Sequence, residues 1–316
     1  MIRDHLNAQA GTPEWLALRT KDVTSTEVSA LYGASPYVTS FELWHRKARG
    51  EVSSFAPTGR MQWGTRLEPV IAQAAADEHG WTNLSPLKQY IRLPEHRVGS
   101  SFDFVARVGD AESIVECKNV GLDRVRHGWV FDGDNLVEAP LHIELQVQHQ
   151  MLVADLQIAH IAVLVGGNSL HVLKRSRDAG IAADILRRVA EFWASVDAGT
   201  SPSATTEDAD FVIRSLRAQA GDAAVSCDAP EVVDALREYS MLGEQLKALE
   251  AQRDAAKARV LLAVGDAASV QTPIGKVSCG MTKDNPGKLI TADMVGTYVG
   301  ARAGFRQFRF TPNKAK

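Results

Sequence analysis

Ser100-Ser-Phe-Asp103-Phe-Val-Ala-Arg-Val-Gly109-Asp110-Ala-Glu-Ser-Ile-Val-Glu116-Cys117-Lys118-Asn-Val120 is the most informative stretch of the chain. Its apolar and β-branched residues predict two strands, at about 98–108 and 112–120, turning at Gly109-Asp110. Side chains alternate along a strand. Glu116 and Lys118 are therefore expected on one face, with the Cys117 thiol on the other. A hairpin brings Asp103, placed within the first strand, alongside Glu116, so that two carboxylates and a lysine converge. Hard divalent cations prefer oxygen ligands, and magnesium takes one or two carboxylates while keeping several waters. A lysine beside such an ion can orient or deprotonate an attacking water. Taken alone, the same spacing also describes a solvated strand face with a cross-strand ion pair.

Outward from this hairpin the period changes to that of helices. Residues 60–79 are Ala-rich with Leu67, Val70 and Ile71 at helical spacing, end at Gly80, and carry Glu68. Residues 12–50 read as short helices, with Thr12-Pro13-Glu14 as a start, a capping box at Thr39-Ser-Phe-Glu42 and a stop at Gly50. After the hairpin, residues 141–154 return to helical spacing. Strands at 158–165 and 169–174 flank Gly166-Gly167-Asn168, and a helix follows at 178–198. The small, polar run from Gly199 to Thr206 reads as a linker. These signals divide the chain into a domain at 1–198, a linker at 199–206 and an extension at 207–316. The extension carries a long amphipathic helix at 231–264, a hairpin around Thr272-Pro273-Ile274-Gly275, a last strand near 305–310 and a basic tail. There is no internal repeat.

The chain has 316 residues, 45% hydrophobic and 23% charged, which provides enough apolar material for a sizeable core and argues against wholesale disorder. No apolar run approaches the roughly 20 residues needed to span a bilayer, so no membrane association is expected. The first residues lack a basic segment followed by an apolar one, so no signal peptide is expected. Cys117, Cys227 and Cys279 form no pair motif, which points to a reducing cytoplasm. The net charge of −3 excludes a globally basic coat but not a local basic channel.

Three further clusters stand out. Gln146, Gln148 and Gln150 lie within an apolar helix, and Gln146 and Gln150 share a face. Their amides suit a groove that binds phosphate, a base edge or metal-bound water; a polar outer face is the plainer reading. Trp15…Arg19 followed by Val23-Thr-Ser-Thr26-Glu27 supplies a forked donor and several hydroxyls before a helix, a combination suited to a terminal phosphate. Simple helix capping by Thr24 or Thr26 would also explain it. His142 and His149 are two helical turns apart, too far for one zinc ion.

The ordered set Trp15…Arg19…Thr24-Ser-Thr26-Glu27-Val28, Trp63-Gly64…Glu68, Ser100-Ser-Phe-Asp103, Val115-Glu116-Cys117-Lys118 and Glu144-Leu-Gln146-Val-Gln148-His-Gln150-Met151 resembles the lambda-exonuclease family. These are the YqaJ-type viral recombinases of the PD-(D/E)xK nuclease superfamily. The resemblance covers roughly residues 10–195. It implies an α/β core with a mixed central sheet flanked by helices, followed by the helical and β-hairpin extension. It implies magnesium, with manganese as an alternative, held by Asp103, Glu116 and the Cys117 backbone carbonyl. Lys118 would act at the water, Glu68 would assist a second ion and Gln146 would complete the site. Arg19 and Thr26 would hold a 5′ phosphate, with Gln148 as a further DNA contact. Arg306 and Arg309, in a tail that has no acid after Asp293, are candidates for backbone contacts to DNA. The implied activity is 5′→3′ digestion of one strand of linear double-stranded DNA, leaving a 3′ single strand for phage-type recombination. A single-strand annealing protein is the implied partner, and a homo-oligomeric ring an implied assembly. The alternatives are a non-processive repair-type nuclease or endonuclease of the same superfamily, and a DNA-binding accessory protein with weak or lost catalysis. Two departures stand out: the usual Pro-Asp-Gly is here Phe102-Asp103-Phe104, and Thr26 stands where serine is usual.

Overall fold

The computed structural model describes residues 1–51, 58–122, 128–216 and 226–281, in two compact units, Met1–Phe211 and Val212–Lys316. The first unit runs β1 (Asp4–Leu6), α1 (Pro13–Lys21), β2 (Val23–Thr24), α2 (Ser40–Ala48), α3 (Gly59–His79), β3 (Thr82–Pro86), β4 (Tyr90–Leu93), β5 (Val98–Ser100), β6 (Phe104–Val108) and β7 (Ala111–Val120). It continues with β8 (Val130–Asp132), β9 (Asn135–Glu138), α4 (Leu141–Ala154), β10 (Ile158–Val165), β11 (Ser169–Ser176) and α5 (Ala179–Asp197). After α6 (Ala209–Leu216), the second unit carries α7 (Pro230–Val264) and the hairpin β12 (Ser269–Thr272) with β13 (Gly275–Ser278). Among the described residues, no helix is long and apolar enough to cross a membrane.

The central sheet has the order β11-β10-β7-β6-β3. β7 runs parallel to β10 and antiparallel to β6, so the sheet is mixed. A parallel neighbour needs a crossover, and here α4 and the β8–β9 hairpin supply it. On one face Val115, Cys117 and Ala162 pack with Ile71, Ala72, Ala75 and Ala76 of α3, where small side chains allow close approach of helix and sheet. On the other face Ile114, Ile161 and Val163 pack with Val147, Met151 and Leu152 of α4. A second sheet, in the order β1-β4-β5-β2, also borders α4. Enclosed in this way, α4 is buried from Leu145 to Val153. Its polar side chains must therefore find protein partners, and that requirement shapes the site.

Three expectations need correction. The strand anticipated at 98–108 is two strands in different sheets; Ser101-Phe102-Asp103 crosses between them, so Asp103 lies in a bend. Thr39 does cap α2 by accepting from Glu42 N, but the Glu42 side chain turns to Arg46 one turn on, leaving the capping box half formed. The first unit also extends past the expected boundary at 198. Buried Asp208 accepts from Thr39 Oγ1 and Thr205 N, and the Phe211 ring lies 6.1 Å from that of Phe41. The run at 199–206 is thus tied to the first unit at its far end.

Candidate active site

Pairing of β6 with β7 ends where Phe104 faces Val115, while β7 continues to Val120. The vacated edge of β7 is where the chemistry-bearing residues gather. Asp103 Oδ2 accepts the Cys117 N–H at 2.8 Å, taking the place of the missing strand. A strand residue's N–H and C=O point to the same side, so the Cys117 carbonyl faces this edge too. Its thiol packs in the core on the α3 side, where burial first, and then the charges of Asp103 and Glu116, push it far above the ordinary thiol range. It is no nucleophile.

Glu116 points the other way, toward α4, and is 3% exposed. Three donors hold it. Lys118 Nζ and Gln146 Nε2 donate to Oε1 at 2.5 and 2.6 Å, and Gln150 Nε2 donates to Oε2 at 2.8 Å. Lys118 Nζ also donates to Gln146 Oε1 at 3.3 Å. Gln150 Nε2 also lies 3.3 Å from the Ser101 carbonyl, which ties α4 to the segment carrying Asp103. Gln150 was absent from the expected site residues, yet its spacing from Gln146 was the signal: one helical turn places both on one face.

Gln148 belongs elsewhere. Two residues along a helix rotate a side chain by about 200°, so it turns away from Gln146 and Gln150. It is 6% exposed, donates from Nε2 to Ser176 O at 2.9 Å, and accepts from Asp178 N at 3.0 Å. With both amide ends spent joining β11 to α5, it is not placed to contact DNA.

The acids repel one another. Burial, then the charge of Glu116, raises the Asp103 carboxyl well above its ordinary range, against the pull of Lys118. Glu68, half-buried on α3, is raised by burial and by Glu116. Burial lowers the Lys118 amine, but Glu116 and Asp103 more than reverse this and leave it raised.

Among the described residues, no three His, Cys, Asp or Glu side chains gather closely enough to ligate an ion unaided. Magnesium does not require such a cage, because it keeps waters and accepts a few oxygen donors. The edge of β7 offers two carboxylates and one carbonyl. Glu116 uses three of about four lone-pair positions, which leaves one on Oε2. Gln150 Oε1 is buried beside them with no hydrogen-bond partner among the described residues, an acceptor that a hydrated cation would satisfy. The donor set fits a hard divalent ion. His149 does not join it: burial, opposed by Val23 and Glu27, lowers its ring to about 4 within the core.

A second cluster adjoins the first through Ser100 and Ser101. Trp15 Nε1 donates to Ser101 Oγ at 2.7 Å, and Ser100 Oγ donates to Ser25 Oγ at 2.9 Å. The Arg19 guanidinium lies 4.5 Å from the Trp15 ring centre, with Nη2 3.4 Å from Thr26 Oγ1 and 3.9 Å from Glu27. Arg19 and Thr26 are thus brought together. Beneath them, Lys47 is buried and donates to Glu27 Oε2 at 2.8 Å and Asp22 O at 2.7 Å. Burial would raise the Glu27 carboxyl, but Lys47 and Arg19 reverse this and hold it near about 2. Asp22, wholly buried, takes a two-pronged pair from Arg92 and the Tyr90 hydroxyl. Gly99 is required here, since a Cβ would overlap the Tyr90 hydroxyl and the Asp22 carboxylate. The expected helix after Thr26 is only a five-residue 3₁₀ turn, Val28–Tyr32. It offers little dipole, so any anion held here rests on Arg19 and the hydroxyls. Arg306 and Arg309 lie outside the described residues.

A mixed sheet flanked by helices, with an acid–acid–lysine centre at a vacated strand edge, defines the class of domain. Residues 14–157 match the YqaJ-like viral recombinase domain. The protein YqaJ of Bacillus subtilis (strain 168) is 25% identical over 252 residues, 78% of this chain and 76% of that one. Among solved structures, the alkaline exonuclease LHK-Exo of Laribacter hongkongensis has a TM-score of 0.45 at 20% identity, covering 65% of this chain and 97% of its own. A phage-related exonuclease from Haemophilus somnus 129PT has a TM-score of 0.40 at 13% identity, covering 57% and 96%.

Proposed function

We propose that the protein is a metal-dependent nuclease that digests linear double-stranded DNA from an end. The observation that carries this reading is the meeting of Asp103, Glu116 and Lys118 at the vacated edge of β7, fixed from α4 by Gln146 and Gln150. Asp103, Glu116 and the Cys117 carbonyl would hold magnesium or manganese, with Glu68 assisting a second ion. A bound ion supplies Lewis acidity toward a phosphate and a lowered pKa for its water. The chain's own groups do the positioning. Lys118 spends two of its three N–H donors on Glu116 and Gln146, leaving one for water or a phosphate oxygen. Glu116 is locked by three donors, so it need not reorganise during reaction. Arg19 and Thr26 would take the 5′ phosphate of the digested strand, which sets 5′→3′ direction. Such an enzyme leaves a 3′ single strand, the substrate of a single-strand annealing protein in phage-type recombination. The match of residues 14–157 to the YqaJ-like viral recombinase domain supports this role.

Incubating linear duplex and covalently closed circles with magnesium tests the reading. Loss of the linear form alone is expected. Cutting of the circle would make the protein an endonuclease, and inertness toward both would leave it a DNA-binding accessory protein.

A further inference from the structure

Given the nuclease activity proposed for this chain, we infer that Tyr37 stacks the nucleobase on the 3′ side of the scissile phosphate. A nucleobase has flat π-faces and polar edges, and proteins hold single strands by stacking such bases on aromatic side chains. Tyr37 is 75% exposed, so its ring contributes little to the core. Its place beside the acid–acid–lysine centre gives that exposure a use.

Helix α4 acts as a ruler. Gln150, Gln146 and His142 follow one another at intervals of four residues, on one helix face. Gln150 reaches the Ser101 carbonyl, at the border of the Arg19–Thr26 cluster. Gln146 reaches Glu116 and Lys118. His142 lies one turn further, and its ring meets that of Tyr37 with centroids 5.9 Å apart. Burial, and then the charge of Lys118, lower the His142 ring, and the Tyr37 phenol acts on Lys118 in turn, so the three share one neighbourhood. From Gln150 to His142 the helix rises about 12 Å, with the Lys118 contact midway. A strand whose 5′ phosphate meets Arg19, and whose scissile phosphate meets Lys118, carries its next base to Tyr37.

The loop that carries Tyr37 is built to hold it still. Ser35 Oγ accepts the backbone N–H of Tyr37 at 3.2 Å and that of Val38 at 3.3 Å. Pro36 has a fixed φ, which stiffens the approach to Tyr37. On the other side the Val38 side chain is buried, and Thr39 caps α2. A side chain anchored on both flanks gives up little freedom when a base settles on it. The Tyr37 and His142 rings stand at 87°, so His142 braces the tyrosine edge to face without stacking on it. Stacking of this kind accepts any base, because every base has a π-face. That tolerance suits an enzyme that digests a strand of any sequence.

Equilibrium binding of the full chain to a 5′-phosphorylated duplex end tests this without turnover, with calcium as the hard cation. The far end of the duplex is closed by a hairpin loop. One duplex is intact, and a second has an abasic residue as the second nucleotide of the 5′ strand. Tyr37→Ala should weaken binding to the intact end about tenfold and leave binding to the abasic end unchanged, while Tyr37→Phe matches the wild type on both. Moving the abasic residue to the first nucleotide should bring back the full effect of Tyr37→Ala. A tyrosine that only supports its loop would weaken both ends alike. Equal weakening on the two duplexes, or none on either, would overturn the proposal. Digestion of the intact duplex with magnesium reports the nuclease activity separately. A wild type that digests it, while Tyr37→Ala distinguishes neither end, overturns the stacking alone; the expected binding pattern without digestion overturns the nuclease activity alone.

Discussion

Replacing Gln150 by leucine keeps the side chain's bulk and removes both of its hydrogen bonds, to Glu116 Oε2 at 2.8 Å and to Ser101 O at 3.3 Å. Glu116 is 3% exposed, so water cannot take over the lost donor. A hydrogen bond to a charged group contributes about 1.5–3 kcal/mol, and the longer Ser101 contact adds little. Against this, the substitution removes the unpartnered Oε1, worth about 1 kcal/mol. The net destabilisation is about 1–2 kcal/mol, and a unit of this size should lose about 2–4 °C of Tm per kcal/mol. Glu116 also loses one of the three contacts that fix its orientation, and hydrolysis should slow at least about tenfold, the equivalent of 1.4 kcal/mol. Gln148→Leu is the matched control. It removes the contacts to Ser176 and Asp178, destabilises comparably, and leaves Glu116 untouched. Thermal melts and magnesium-dependent hydrolysis of labelled duplex, expressed per folded molecule, separate the two. Equal slowing by both variants, or full activity in Gln150→Leu, would refute the assignment of Gln150 to the site.

If Arg19 and Thr26 hold a 5′ phosphate, phosphorylated ends should be digested faster than hydroxyl ends. Arg19→Ala should erase most of that difference, about 10- to 100-fold for a charge-assisted bond; equal wild-type rates on both ends would remove the pocket. Burial lowers His160 to about 4 from its ordinary 6.5, so below pH 6.5 the unfolded chain binds a proton that the folded chain does not. The stability advantage of the wild type over His160→Asn should therefore shrink, by up to about 3 kcal/mol, as pH falls from about 6.5 to about 4. A constant difference between the two melts would contradict this. Gly99→Ala should destabilise by about 3 kcal/mol or more by displacing Tyr90 and opening the buried Asp22–Arg92 pair; an unchanged urea midpoint would show that the site relaxes freely.

Alternation along Ile114–Lys118 and the helical period of 141–154 were legible because both depend on local geometry alone, and α4 and β7 fall where the pattern put them. What local reading missed came from tertiary arrangement. The run from Val98 to Val108 carries a continuous strand-like pattern, and nothing within it reports that Ser101-Phe102-Asp103 passes between two sheets. Gln146, Gln148 and Gln150 look alike as residues. Only the enclosure of α4 on all sides shows that two serve Glu116 and one serves the β11–α5 junction. Lys47, Asp22 and Arg92 gave no signal at all, because their pairing joins segments far apart in sequence.

The central claim is that Asp103 and Glu116 hold a divalent ion at which Lys118 assists hydrolysis of DNA. Single-turnover digestion of end-labelled linear duplex, titrated with magnesium, tests it most directly in the wild type and in Asp103→Asn, Glu116→Gln and Lys118→Met. The account predicts magnesium-dependent digestion by the wild type and background rates for both acid variants at every magnesium concentration. Lys118→Met should be slowed on the order of 100-fold with its magnesium midpoint little changed. Asp103→Asn digesting the duplex at the wild-type rate, with the wild-type magnesium dependence, would contradict it.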